Sequence, residues 1–332
     1  METLATPTLW AVSIAALLAL FVLDFVVTRR PHEVSLKEAA AWSIFYISLP
    51  VAFGVWLWRE HGSSVGGEFF TGYLVEKSLS IDNLFLFMML LTAFAVPKIH
   101  QQRVLLIGVA GALVMRAVMI VLGAQLLTTF TWMFVLFGAF LLWTAVKVWR
   151  DTAAGDEHTV DPGDMRIVRG IRRIFPVTDD YRGSAMSVRE SVEQDGRIVT
   201  RRALTPLAVV TLAVLATDAL FALDSVPAVY GITSDPYLVF ATNAFALLGL
   251  RALYFLVEGV LSTLVHLGYG LAVILAFIGY KLVAHWAHEV WHWVWTPSTA
   301  VSLGVIVVSL LTVTVTSLVA TRRAQRRATA AG

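Results

Sequence analysis

Long apolar stretches alternate with short polar connections along the whole chain. A helix needs about 20 residues to cross the hydrocarbon core of a bilayer, and nine stretches are of that order of length. They lie at 9–27, 39–58, 69–96, 104–127, 130–148, 204–230, 237–261, 267–283 and 300–320. The pattern therefore predicts an all-α, polytopic membrane protein with nine transmembrane helices, of which the longest are tilted or broken.

The composition agrees with this class. Apolar side chains make up 58% of the 332 residues and charged ones only 14%, with a mean hydropathy of +0.76, which is far from the range of soluble domains. The chain has no cysteine, so disulfides and thiolate metal sites are excluded. A net charge of +2 gives no indication of a nucleic-acid partner. The expected partner is the lipid bilayer.

Lysine and arginine are concentrated in alternate connections, and the basic connections of a membrane protein face the cytoplasm. With nine crossings, one side carries almost all of them and the other side carries Arg59 alone. The basic side holds Arg29, Arg30, Lys37, Lys98, Arg103, ten arginines between 150 and 202, and Arg322, Arg323, Arg326 and Arg327. This predicts a multi-pass protein of the inner (plasma) membrane with its N-terminus outside and its C-terminus in the cytoplasm.

One long polar segment divides the apolar stretches. Residues 150–203 contain ten arginines balanced by ten acids, which favours a solvated cytoplasmic linker between two membrane-embedded halves. The basic sequence IVRGIRRIF at 167–175 also fits a short amphipathic helix on an anionic membrane surface.

Two apolar stretches contain acidic motifs, EKSLSIDN at 76–83 and TDALFALDS at 217–225. Each places two carboxylates six residues apart, Glu76 with Asp82 and Asp218 with Asp224. An ionised side chain at the centre of a membrane helix costs at least about 2.5 to 3.5 kcal/mol. Since spanning a bilayer requires no such cost, these four acids are the candidate functional site.

The charged positions recur along the chain. Glu76 and Asp82 match Asp218 and Asp224 at an offset of 142 residues, and Arg116 matches Arg251 at 135. Helices three to five (68–149) therefore resemble helices six to eight (204–284). Because each unit has three crossings, the second must be inverted, as in secondary transporters with a midplane site. Helices one and two (1–60), and helix nine with its basic tail (298–332), are then peripheral.

The donor chemistry of these motifs suits a hard cation. On a straight helix the two acids of one motif lie about 120° apart in azimuth and about 9 Å apart along the axis, so they share an ion only if the helix is interrupted. Pro227 is expected to interrupt the second motif. Asn83 and Asn243 add carbonyl oxygens, and an oxygen-only donor set suits magnesium, calcium or manganese.

Other polar positions have secondary or structural interpretations. We expect Arg116 and Arg251 to be counter-ions and Ser225 a secondary ligand. Asp24 and Glu258 are expected to reach the interface, and Lys77, Lys147 and Lys281 to snorkel or pair. His285, His288 and His292 have metal-ligand spacing, but a stretch so rich in Trp and His favours an aromatic interfacial belt over metal capture.

The motifs GYLVEKSLSIDNLF, RVLLIGVAGALVMRAVMI and TPLAVVTLAVLATDALFALDSVPAVYGIT resemble the TerC/Alx family of integral membrane proteins. The resemblance extends from the first helix to the ninth and implies membership of the LysE-type transporter group, whose Alx-like members are linked to manganese export. It assigns the metal site to Glu76, Asp82, Asn83, Asp218 and Asp224. Where many relatives carry a glutamate, three residues before Asp218, this chain has Leu215.

The motifs leave three functions open. The first is a transporter, not an enzyme, that exports a divalent cation such as manganese in exchange for protons and has no bound cofactor. The second is a membrane scaffold that aids metalation or insertion of other proteins, as plant relatives suggest. The third, an intramembrane aspartyl protease, is disfavoured because neither motif has a YD or GxGD context. Any tellurite resistance is expected to be indirect, since four acids repel an oxyanion.

Overall fold

The structure, a computed structural model, describes residues 4–27, 34–154, 166–178, 180–194, 197–257 and 266–331. These residues form ten helices and one β-hairpin. The helices are α1 (Pro7–Val27), α2 (Leu36–Ala93), α3 (Lys98–Thr129), α4 (Met133–Ala154), α5 (Arg166–Ile174), α6 (Pro206–Tyr230), α7 (Pro236–Leu247), α8 (Leu250–Val257), α9 (Leu267–Val290) and α10 (Thr299–Ala331). The strands are β1 (Ser187–Gln194) and β2 (Arg197–Leu204), which pair antiparallel.

Eight helical segments within the described residues are long and apolar enough to cross a membrane. They are α1, α2, α3, α4, α6, the region 236–256 formed by α7 and α8, α9 and α10. The prediction of an all-α polytopic membrane protein is confirmed. The number of nine crossings stays a prediction. It depends on whether α2 crosses the membrane once or twice.

Helix α2 is too long for one crossing and folds back on itself at Gly62. Its 58 residues would extend about 87 Å as a straight helix. Gly62 has non-helical dihedrals with φ at +89°, a conformation that favours glycine. A Cβ atom on Gly66 would lie 2.8 Å from the Cα of Trp58, and the rings of Phe53 and Phe69 are 5.2 Å apart. Residues 36–61 and 63–93 are therefore two antiparallel limbs.

Helices α4 and α9 pack closely and in opposite directions. A Cβ atom on Gly138 would lie 2.7 Å from the carbonyl oxygen of Gly279, and one on Gly279 would lie 2.9 Å from that of Gly138. Ring contacts join Phe134 to His285 near one end and Trp149 to Tyr269 near the other. Since the two helices occupy equivalent places in the predicted units, their opposite directions are what an inverted repeat requires.

The packing of the other helices is also reciprocal. A Cβ atom on Gly72 in α2 would lie 3.0 Å from the side chain of Thr242 in α7, and one on Gly108 in α3 would lie 2.7 Å from that of Val214 in α6. At the offsets found in the sequence, Val214 is the counterpart of Gly72, and Gly108 follows the counterpart of Thr242. The repeat remains a prediction that these contacts support.

The segment between the halves is structured where it is described. Val168 of α5 is buried among apolar residues of α2, α3 and α6. The hydroxyl of Tyr181 donates to the carbonyl of Phe94 at 2.7 Å, and Arg103 donates to the carbonyl of Ser184 at 2.9 Å. The expectation of a solvated linker is wrong for these residues, because they pack on the end of the helical bundle.

A buried charged centre between the helices

Arg116 is at the centre of the candidate site. Its side chain projects from α3, is fully buried, and donates from Nη1 to Oε2 of Glu76 on α2 and to Oδ1 of Asn243 on α7, the latter at 2.9 Å. Its Nε lies 3.7 Å from Oδ2 of Asp218 on α6. One guanidinium therefore connects four helices, and the rigid fork of arginine suits such multiple contacts.

Asn83 completes the contacts of the arginine. With its amide oriented so that the nitrogen donates to the carbonyl of Leu79 at 3.0 Å, its oxygen accepts from Nη2 of Arg116 at 3.2 Å. The amide of Asn243 is likewise fixed, since its Nδ2 donates to the carbonyl of Val239 at 3.0 Å. Five predicted residues thus meet here: Glu76, Asn83, Arg116, Asp218 and Asn243.

The charges in this centre do not balance when both acids are ionised. Glu76 and Asp218 are each 0% exposed and share Arg116. Among the described residues, Oε1 of Glu76 and both oxygens of Asp218 have no hydrogen-bond partner. A buried carboxylate without compensation is costly, so this arrangement is suited to take up a cation or a proton.

Asp224 lies beside a separate small cavity. This cavity, of about 70 Å³, is lined by Asn83, Thr144, Asp224 and Ser225 with apolar neighbours. The hydroxyl of Thr144 donates to Oδ1 of Asp224 at 3.2 Å, while the buried hydroxyl of Ser225 has no partner among the described residues. Since one water occupies about 30 Å³ of liquid, the cavity has room for a partly hydrated ion. Asn83 links it to Arg116.

The expected interruption of α6 is wrong. The helix continues through Pro227 to Tyr230, so the two acids of the second motif have different neighbours: Asp218 faces Arg116 on α3 and Asp224 faces Thr144 on α4. Within the described residues, no three His, Cys, Asp or Glu side chains are grouped to hold a metal ion. The side chain of Asp82 lies outside the described ones, so its part in the site stays a prediction.

Leu215 has a clear place in the packing. It lies three residues before Asp218 on α6, and its side chain fills the space over Gly111 of α3, where an added Cβ atom would be 2.1 Å away. Position 215 is therefore an apolar helix contact in this chain.

Arg251 lies outside this centre and pairs with Asp24. Its Nη2 is 2.7 Å from Oδ1 of Asp24, which also accepts from the hydroxyl of Tyr46 at 3.1 Å. The counter-ion interpretation of Arg251 agrees with this pair. Asp24 is only 8% exposed, so its side chain is held inside the bundle, and its place at the membrane interface stays a prediction. The pair itself was not predicted. A lone acid within the first apolar stretch was the signal that could have shown it. Glu258 lies outside the described residues.

The remaining basic and imidazole side chains lie away from the arginine. Lys77 donates to the carbonyl of Ala246 at 3.1 Å, and Nζ of Lys147 lies 5.8 Å from the ring centroid of Trp143. His285 packs on Phe134, and the rings of His288 and His292 are 6.3 Å apart. These three histidines belong to no group of metal-ligating side chains in the part of the chain described.

The fold and this centre define an integral, multi-pass helical membrane protein that buries an excess of carboxylates in its interior. Residues 61–325 match the family model described as the integral membrane protein TerC family. The chain belongs to the TerC family.

Curated relatives cover most of the chain. It is 40% identical over 317 residues to Alx of Escherichia coli strain K12, a proposed membrane-bound redox modulator, with 92% of each chain covered. An uncharacterized membrane protein of Myxococcus xanthus is 39% identical over 286 residues, covering 85% of this chain and 86% of that protein. No solved structure matches the chain.

Proposed function

We propose that this protein is a transporter of the inner membrane, and not an enzyme, that exports a divalent metal cation, manganese, through the centre formed around Arg116. The observation that carries the proposal is the shared arginine: two fully buried carboxylates, Glu76 and Asp218, face one guanidinium. A bound cation supplies the missing positive charge. The N-terminus would lie outside and the C-terminus in the cytoplasm.

The unpaired atoms in the centre favour a cation over an anion. Three carboxylate oxygens of Glu76 and Asp218 lack hydrogen-bond partners among the described residues. Arg116 already donates to Glu76 and Asn243, and its one nitrogen without a hydrogen-bond partner there, Nε, faces Oδ2 of Asp218 at 3.7 Å. An oxyanion such as tellurite would meet these carboxylates and be repelled. Tellurite resistance, where it occurs, is then an indirect result of altered metal balance.

The donor set supports a hard ion. Carboxylate, amide and hydroxyl oxygens of Asp218, Asp224, Asn83 and Ser225 are available near the centre, and such ligands are preferred by magnesium, calcium and manganese. Protons provide the exchange partner: when the cation leaves, a proton on Asp218 neutralises a carboxylate that would otherwise stay buried with its charge.

The name of the relatives and the surface of α5 suggest a second function. The relatives named Alx are proposed redox modulators, but these 332 residues contain no cysteine, so a redox effect here would act through metal ions and not through its own thiols. Ile174 is 73% exposed and Phe175 is 47% exposed at the end of the basic helix α5. That apolar tip favours, as the alternative, a scaffold that contacts other membrane or exported proteins.

Manganese flux in proteoliposomes with an imposed pH gradient tests the transporter. We expect flux to be lost with Asp218→Asn and with Asp224→Asn, and retained with Asp151→Asn, an exposed acid at the end of α4. We also expect the double variant Ile174→Ser, Phe175→Ser to keep its flux. If correctly folded wild-type protein gives no flux above empty vesicles, the scaffold becomes the better explanation, and binding partners lost with the double variant would support it.

A further inference from the structure

A second polar cavity lies at one end of the bundle. It has a volume of about 150 Å³, and its polar lining residues are Glu68, Thr233, Ser234, Lys281 and His285. The turn after α6 forms part of its wall, and Ser234 on that turn is exposed. None of these side chains belongs to the proposed central site. Lys281 and His285 were expected only at the membrane interface.

The same four helices line this cavity and the smaller one beside Asp224. At the end of the bundle they contribute Glu68 from α2, Phe134 from α4, Tyr230 from α6 and Lys281 from α9. Deeper along the same helices they contribute Asn83, Thr144, Asp224 and Leu275. From Asp224 to Tyr230 the distance along α6 is about 9 Å, at 1.5 Å per residue. The two cavities therefore follow one another between the same helices.

An apolar layer separates the two cavities. Each of the four helices places a buried apolar residue between the two sets of lining positions: Val75, Leu141, Ala228 and Ile278. All four belong to one hydrophobic cluster, and none is more than 2% exposed. A layer of this kind stops a hydrated ion, since apolar side chains offer no replacement for its water.

We propose that the Glu68 cavity is the mouth of the cation path and that Glu68 is a second and transient ligand for the divalent cation. The layer of Val75, Leu141, Ala228 and Ile278 is the closed gate between this mouth and the cavity beside Asp224. This inference rests on the proposed transport function and names a binding residue outside the central site. A carboxylate, an imidazole and hydroxyl oxygens form a donor set that manganese accepts.

Lys281 makes binding at this mouth weak. Lys281 and Glu68 line the same cavity, so the ammonium group attracts the carboxylate when no metal is present and repels the metal when one arrives. The hydroxyl of Ser64 also donates to Glu68, at 3.4 Å. Weak binding suits a place where an ion must leave as readily as it enters.

Cysteine accessibility tests the gate, and a chain without cysteine needs no background substitutions. A membrane-impermeant methanethiosulfonate reagent is added to the side on which Glu68 lies. We expect fast modification of a Ser234→Cys variant and slow modification of a Ser225→Cys variant. Adding Leu141→Ala to Ser225→Cys should raise its rate at least tenfold, whereas adding Val146→Ala, a half-exposed position on the same helix, should not.

Equal rates for Ser225→Cys with and without Leu141→Ala would overturn the gate.

The binding role of Glu68 is tested separately, by the concentration of Mn²⁺ needed for half-maximal flux and for protection of Ser234→Cys from the reagent. We expect Glu68→Gln to raise both at least threefold and Glu60→Gln, an exposed acid near the turn at Gly62, to change neither. Unchanged values with Glu68→Gln would remove Glu68 from the path. Absence of wild-type flux would refute transport itself, while the labelling rates would still decide the gate.

Discussion

Nε of Arg116 lies 3.7 Å from Oδ2 of Asp218, too far for a hydrogen bond and close enough for strong electrostatic attraction. The shorter contact of the same guanidinium goes to Glu76. Asp218 is therefore the less firmly held of the two buried acids, and it is the one for which a change of partner costs least.

Neutralising Asp218 should leave stability intact. Asp218→Asn removes the excess charge, so we expect the midpoint of thermal unfolding in detergent to stay the same or rise while cation flux is lost. Asp24→Asn is the matched control, because it removes a carboxylate of similar burial whose loss leaves Arg251 buried without its partner. The free energy of unfolding of that variant should fall by about 3 to 5 kcal/mol. Equal losses in both variants would contradict the charge imbalance.

Removing the shared arginine should be severely destabilising. Arg116→Gln leaves Glu76 and Asp218 buried with no counter-ion, and we expect loss of folded protein on size-exclusion chromatography in detergent. Adding Glu76→Gln and Asp218→Asn to the same chain should restore much of it, because the uncompensated charges are then gone. Full stability of the single variant would show that the acids do not depend on the arginine.

The hydroxyl of Tyr46 should contribute modestly to the pair outside the centre. Tyr46→Phe removes its hydrogen bond to Asp24, and we expect a loss of about 1 to 2 kcal/mol in the free energy of unfolding. In the background of Asp24→Asn the same change should cost clearly less, which a double-mutant cycle measures. Identical costs in both backgrounds would mean that the bond adds nothing to stability.

The contact between α4 and α9 should not tolerate a methyl group. In Gly138→Ala the new Cβ atom would lie 2.7 Å from the carbonyl oxygen of Gly279. We expect the free energy of unfolding to fall by about 1 to 3 kcal/mol. Gly304→Ala in α10 is the control, since no other atom lies within 4 Å of its added Cβ and alanine favours helix by about 1 kcal/mol. The expectation would be contradicted if Gly304→Ala lowered the midpoint of thermal unfolding and Gly138→Ala did not.

The sequence predicted the apolar segments and most of the charged centre. Hydropathy marks membrane helices because the bilayer imposes their length, and an acid inside such a helix is conspicuous, as Glu76 and Asp218 were. The recurring offsets placed Arg116 and Arg251 in equivalent positions, but not their partners. Whether an arginine meets Asp218 or Asp24 depends on how helices pack, and packing is absent from a linear pattern.

The local errors have the same origin. Pro227 lies in the last turn of α6, where the loss of one backbone hydrogen bond does not break the helix. The segment before α6 appeared solvated because its charges balance, yet Val168 and Tyr181 attach it to the bundle through single contacts. Such contacts leave almost no trace in composition.

The attachment of this segment makes the two ends of the molecule mechanically unequal. Tyr181 and Arg103 fasten it to the junction between α2 and α3, while its strand β2 leads directly into α6 and the hydroxyl of Thr205 donates to the carbonyl of Ala185 at 2.7 Å. It is thus a strap that joins both predicted halves at one end. Rocking of the halves would pivot at that strap, and the larger displacement would occur at the end where Glu68 lies.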